Sequence, residues 1–224
     1  MRKTLRRWHL WLGWLVGVPI LLWTVSGLVM VWKPIEEVRG NHLLDPAPAI
    51  RLQSAPVLPE GLEDIPLSSV SLEPRARGPV WVVPLSGRIA LADPATGEWL
   101  EAYDEEGALA EVAARYAGEG TNPRVARTDP KNPPTDWRRP RAAFAVTYDN
   151  GDRFYVDPMT GAIEATRSDW WRLFDFMWGL HIMDLETRED TSNPWVVTFA
   201  ALSVIATLMA LVLLPLSTGR KRRR

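Results

Sequence analysis

Two stretches without a single Asp, Glu, Lys or Arg stand near the ends of this 224-residue chain: 24 residues from His9 to Trp32 and 22 from Trp195 to Leu216. Each is long enough for a helix to cross ~30 Å of hydrocarbon, so both predict membrane spans. A cleaved leader would share the basic start (Arg2, Lys3, Arg6, Arg7), but the apolar run is too long for one, and Trp32-Lys33-Pro34 is a poor cleavage site. The first run therefore reads as a retained anchor. Trp8, Trp11 and Trp14 near one edge and Trp32 at the other suit a spanning helix, and Pro19 should kink it.

Charge gives the expected orientation. Four basic residues precede the first span and five follow the second (Arg220 to Arg224, with Lys221 among them), with no acid in either tail. The positive-inside rule then places both termini in the cytoplasm of a bacterial inner membrane and residues 33–194 in the periplasm. The formal charge of −1 hides a division: without the nine tail cations, 17 basic residues face 27 acidic ones, a net of −10. Such a field disfavours nucleic acid as a partner. With no cysteine, disulfides and thiol chemistry are excluded.

The outer segment repeats itself. Asp93-Pro94-Ala95-Thr96-Gly97 and Asp157-Pro158-Met159-Thr160-Gly161 lie 64 residues apart with matching flanks: Ile89-Ala-Leu-Ala92 with Phe154-Tyr-Val156, and Glu98-Trp-Leu-Glu-Ala102 with Ala162-Ile-Glu-Ala165. A fixed offset with matching flanks signals a duplicated unit. Proline at the second turn position and glycine at the close are what a hairpin turn needs, so the string reads as scaffold. Each copy predicts a three-stranded meander: 80–85, 88–92 and 98–102, then 142–148, 153–156 and 162–165, with Asn150-Gly151 as a type I′ signal. Asp104 is expected to cap a helix over 105–116, and Ser168 another over 169–184. On the latter, Trp170, Leu173, Phe174, Met177 and His181 share one side. The stretch 129–140 reads as an exposed loop, and Asn193-Pro194 opens the second span.

The expected fold is α+β, two transmembrane helices flanking a periplasmic domain of two meander-plus-helix repeats. Its segments are a basic tail (1–8), a span (9–32), a Pro-rich connector (33–59), repeats (60–118 and 119–167), an aromatic juxtamembrane helix (168–184), a connector (185–194), a span (195–216) and a basic tail (217–224).

Arg6-Arg-Trp-His-Leu-Trp-Leu-Gly13, Trp23-Thr-Val-Ser-Gly27, the doubled strand–turn–strand unit and Leu180-His-Ile-Met-Asp184, in that order, resemble the PepSY-associated transmembrane family. The resemblance covers most of the chain and implies PepSY-like repeats. Some PepSY modules act as inhibitory or chaperone-like parts of peptidase precursors. Larger membrane members with more spans include haem-containing ferric-siderophore reductases.

Against that background the three histidines matter, because axial imidazoles commonly hold a b-type haem. His9, Gly13 and Gly17 lie at i, i+4 and i+8. This face suits either a haem edge or Gly-x-x-x-Gly helix packing, for which Ala200, Ser203, Thr207 and Ala210 form a matching stripe in the second span. His9 is either a haem axial ligand or an interfacial anchor in the Arg-Arg-Trp-His cluster, and His181 either an axial ligand or a packed residue, with Asp184 at i+3 expected to orient its ring. The two imidazoles stand at opposite membrane edges, so one chain cannot close both sides of one haem with them. His42 is expected to be exposed. His181, Asp184, Glu186 and Glu189 lack an established metal-ligand spacing, so no metal site is expected. No nucleophile elbow, Walker loop or dinucleotide fingerprint occurs, and no catalytic residue is assigned.

The leading expectation is a non-catalytic membrane subunit that binds or modulates a partner in an iron-uptake or redox assembly. The alternatives are a haem b electron-transfer subunit of a ferric-siderophore reductase and a membrane-anchored peptidase regulator. The partners expected are the bilayer and a second copy or another membrane subunit.

Overall fold

A computed structural model of the chain describes residues 2–52, 54–62 and 69–218, so the tail cations Arg220 to Arg224 lie outside the described residues. The chain forms two compact units, Met1–Pro34 with Leu173–Arg224, and Ile35–Arg172.

The first unit holds α1 (Arg2–Met30) and α5 (Pro194–Thr218), together with the end of α4 (Asp169–His181). Only 11% and 6% of the apolar windows of α1 and α5 are buried, so neither is the core helix of a soluble domain. Their apolar flanks face outward, as lipid-facing surfaces must. The helices run antiparallel: Leu5 to Leu15 line a groove with Leu202 to Met209, while Asn193, at the start of α5, bonds Ile182 beside the other end of α1. Asn193 Oδ1 accepts from the Trp195 and Val196 amides at 3.1 Å each and so caps α5 ahead of Pro194.

The seam of this pair differs from the Gly-x-x-x-Gly expectation. Val16 and Ala206 are its buried residues, whereas a Cβ at Gly13 or Gly17 would meet nothing within 4 Å. The contact stripe on α1 lies one residue away from the glycines. Their face is therefore left open by this chain.

The second unit contains two four-stranded antiparallel sheets. The first orders β1 (Ser71–Arg75), β2 (Gly78–Leu85), β3 (Arg88–Ala92) and β4 (Trp99–Leu100). The second orders β5 (Arg124–Arg127), β6 (Phe144–Thr147), β7 (Arg153–Val156) and β8 (Ile163–Arg167). Each meander thus gains a strand in front of the three expected. A short helix α2 (Ile35–Val38) and a 3₁₀ turn over Asn41–Leu43 lead in, and exposed His42 lies on that turn.

The twin turns share the same framework of bonds, to which the second adds one from the Thr160 amide to the Asp157 carboxylate at 2.9 Å. Gly97 and Gly161 donate to the Asp93 and Asp157 carbonyls at 2.7 and 2.9 Å, and both glycines have positive φ. The Asp carboxylates accept from Ala95 and Met159, and the Thr96 and Thr160 hydroxyls from Glu98 and Ala162.

The hairpins before those turns differ. Leu85 pairs with Arg88 across a two-residue turn in the first sheet, whereas Tyr148 donates to the Asp152 carbonyl across three residues in the second. Gly151 has φ +89° but Asn150 does not reach positive φ, so the type I′ turn is replaced by a type I turn closed by a left-handed glycine. The register slips by one residue, and a one-residue slip exchanges the faces of a strand. Leu91 accordingly faces the main core, while Tyr155, 64 residues on, points to the opposite face and Phe154 and Val156 take the core. An irregularity at Tyr155/Val156 restores the pairing ahead of the second twin turn.

The helix α3 (Glu105–Ala113), capped by Asp104 accepting from the Gly107 amide at 2.7 Å, packs on β5, β6 and β7 of the second sheet. Ala108 and Val112 join Val80, Val82 and Leu91 of the first sheet and Phe144, Val146 and Phe154 of the second in one core. The expectation that each meander carries its own following helix therefore fails for the first. Leu109 packs against the same core, which both sheets build.

Nor is the 129–140 loop wholly exposed. Trp137 is 3% exposed and stacks on Tyr155 with centroids 4.7 Å apart, and Asp136 beside it is 8% exposed. Tyr155 Oη donates to Asp136 Oδ1 at 2.5 Å. Burial, reinforced by that hydrogen bond, pushes the Tyr155 phenol up to about 12. Burial and then Glu111 push Tyr103 up as well. Because these folded values lie above the unfolded value near 10, the stability that the neutral phenols contribute is complete below about pH 10 and is lost as pH rises through about 12. A thermal midpoint that is level from pH 8 to 10 and falls between 10 and 12 is expected; an unchanged midpoint at pH 12 would contradict it.

Candidate functional site

The residues that carry the sequence resemblance at the far end of α1 and at the end of α4 meet in the first unit. His181 closes α4, whose start is held by Ser168 Oγ accepting from the Trp171 amide at 3.1 Å. Its ring stacks on Trp23, centroids 4.6 Å apart and 24° from parallel. Its Nδ1 lies 3.1 Å from Ser26 Oγ and 3.2 Å from the Trp23 carbonyl oxygen. Gly27 makes the approach possible, since a Cβ there would stand 3.2 Å from His181 Cε1.

The contact with the Trp23 carbonyl favours the tautomer protonated at Nδ1. A carbonyl oxygen can only accept, so Nδ1 carries a proton and donates it toward Trp23. Ser26, fully buried, gives its own proton to the same carbonyl at 2.9 Å and offers a lone pair to Nδ1. In the neutral ring Nε2 is then the acceptor, and it has no hydrogen-bond partner among the described residues. A carbonyl-held Nδ1–H is the arrangement in which the other nitrogen serves as a ligand.

The residue expected to orient the ring does something else. Asp184 accepts from the Thr187 amide at 3.0 Å, from the Thr187 hydroxyl, and from the Glu189 and Asp190 amides at 3.1 and 3.2 Å. The Thr187 hydroxyl above all, followed by these amides, holds its carboxyl well below the usual carboxylate range. It ties down the α4–α5 connection, and Ser26 with Trp23 O takes the role assigned to it. Asp175, 6% exposed, adds an ion pair with Arg188 at 2.5 Å, and Trp178 Nε1 donates to the Arg188 carbonyl at 3.0 Å. The face of α4 read from helical spacing is not uniformly covered, since Leu173 is 38% exposed.

His9 is elsewhere. Ser26 lies 17 residues beyond it on α1, about 26 Å at 1.5 Å per residue, so His9 and His181 do not converge. His9 Nδ1 is enclosed without a hydrogen-bond partner. Gly13 and Gly17, one and two turns on, leave open space beside it. Among the described residues no three His, Asp or Glu side chains gather as a metal site would require.

In the sequence Trp23, Ser26 and Gly27 stand out only as part of a motif. The available signal was a buried-size polar residue followed by glycine late in an apolar span; its partner, 155 residues away, was not deducible from spacing.

A family model described as the PepSY-associated TM region matches residues 6–224. No curated protein and no solved structure matches the chain.

Proposed function

The chain belongs to the PepSY-associated transmembrane family, and from that premise we propose that it is a non-catalytic subunit offering His181 as one axial ligand to a b-type haem. A second ligand to such a haem would have to come from another copy or another membrane subunit. The setting is a membrane redox or iron-uptake assembly in the bacterial inner membrane, with both termini cytoplasmic and the two sheets periplasmic. The charge of the two tails supports that orientation.

One observation carries the reading: His181 is held through Nδ1–H by Trp23 O and Ser26, which leaves Nε2 to donate its lone pair. Trp23 supplies a flat wall against the ring and Gly27 the space beside it. A bound haem would supply one-electron exchange; the protein's part is to fix the imidazole in one tautomer and one orientation. Because His9 is about 26 Å away along α1, one chain provides a single ligand at this edge.

The test is an optical spectrum of the full chain purified in detergent after expression with ample haem. Reducible b-type bands are expected in the wild type and in His9→Ala. They should be absent in His181→Ala and return on adding imidazole. Colourless, iron-free wild-type protein would overturn the proposal, as would bands undiminished in His181→Ala.

A further inference from the structure

The basic end of the helix pair carries two adjoining cavities that share Trp8 and Trp11. One, of about 650 Å³, is walled by Lys3, Thr4 and Arg7 together with the two rings. The other, of about 500 Å³, is a groove between α1 and α5 lined by Leu12, Leu15, Leu202, Ile205 and Met209. Lys3 and Arg7, four apart, lie on one face of α1, so their charges reach the same space. No acid occurs before Glu36, and among the described residues neither cation has a carboxylate partner.

The geometry points to a bound anionic phospholipid, its phosphate on Lys3 and Arg7 and one acyl chain in the groove. Charge complementarity selects this occupant. A second copy docking here would bring the same unpaired cations against themselves. A zwitterionic lipid would bring its own ammonium to the cations, whereas an anionic headgroup brings net negative charge. Trp8 and Trp11, 67% and 68% exposed, have the amphipathic rings found where headgroup meets chain. The groove supplies what a polybasic patch lacks, an apolar slot aligned with the charge, so the site distinguishes a lipid from a free phosphate.

Native mass spectrometry of the full chain, released from detergent micelles with phosphatidylglycerol or phosphatidylcholine of matched chains, reads the proposal. Wild type is expected to retain phosphatidylglycerol about tenfold more than phosphatidylcholine, as two cations near an anionic headgroup should produce. Lys3→Ala with Arg7→Ala should reduce the preference to about twofold or less. Ile205→Trp, filling the groove, should lower retention of both lipids, and inorganic phosphate should not displace the bound lipid. Replacing Arg220, Lys221, Arg222, Arg223 and Arg224 by alanine should leave the preference standing. Equal retention of the two lipids by the wild type would overturn the proposal. So would a preference that survives the double substitution, or one lost only with the tail arginines.

Discussion

In the full chain, Asp136→Ala is expected to lower the thermal midpoint of the two-sheet unit by about 10 °C, corresponding to about 3 kcal/mol. Asp136 is 8% exposed and accepts from Tyr155 Oη at 2.5 Å and from Arg153 at 3.0 and 3.2 Å. Removing the carboxylate leaves a buried phenol and a guanidinium without their acceptor. Breaking a buried pair from one side costs about 3–5 kcal/mol, and the lower end applies because the Arg153 side chain is 31% exposed, so water recovers part of the loss. Asp136→Asn, which keeps an acceptor for Tyr155 but not the charge, should fall between. Arg139→Ala, which removes a half-exposed partner of Glu164, should cost no more than about 1 kcal/mol. Circular dichroism melts of the three variants in one detergent rank them; equal midpoints for Asp136→Ala and Arg139→Ala would refute the argument.

The twin turns offer a second comparison, in which the same substitution should have unequal effects. Gly161→Ala is expected to cost about 3 kcal/mol, and Gly97→Ala about 1–2 kcal/mol. Both glycines have positive φ, +67° and +76°, so a Cβ meets the same backbone penalty of about 1 kcal/mol at each. The surroundings differ. At Gly161 the new carbon would lie 2.3 Å from Tyr103 Cζ and 2.5 Å from Cε2, and that ring is anchored by Tyr103 Oη donating to Glu111 at 2.7 Å. At Gly97 the tightest neighbours are Leu58 O at 3.0 Å and Val57 Cγ1 at 3.2 Å, a smaller overlap than at Gly161. Thermal midpoints should therefore fall about twice as far for Gly161→Ala. Equal falls would mean that the turn conformation alone decides.

What the sequence made legible was local. The two spans, the caps at Asp104, Ser168 and Asn193, and both Asp-Pro-x-Thr-Gly turns follow from charge-free length, short-range hydrogen bonding and fixed φ, all set by neighbours in sequence. The strands β1 and β5 escaped because they are edge strands with weak patterns: Ser71-Leu-Glu-Pro-Arg75 contains a proline, and Arg124-Val-Ala-Arg127 is four residues with basic ends. The Asn150-Gly151 pair misled because turn type also depends on how the flanking strands pair, which is tertiary. At the candidate site, His181 was found from its residue type and its place near a span. Its holders, Trp23 and Ser26, could not be paired with it by helical spacing, and that same spacing suggested Asp184, whose carboxylate turns instead to the amides of its own loop.

The position of α3 bears on how the protein is made. A ribosome completes the first sheet and then α3, yet Ala108 and Val112 bury against strands that end only at Val156. At roughly 5–20 residues per second the helix waits on the order of seconds before its partners emerge. During that interval an apolar helix face and an open sheet face remain uncovered. The first sheet and α3 thus reach their full burial only once the second copy is complete.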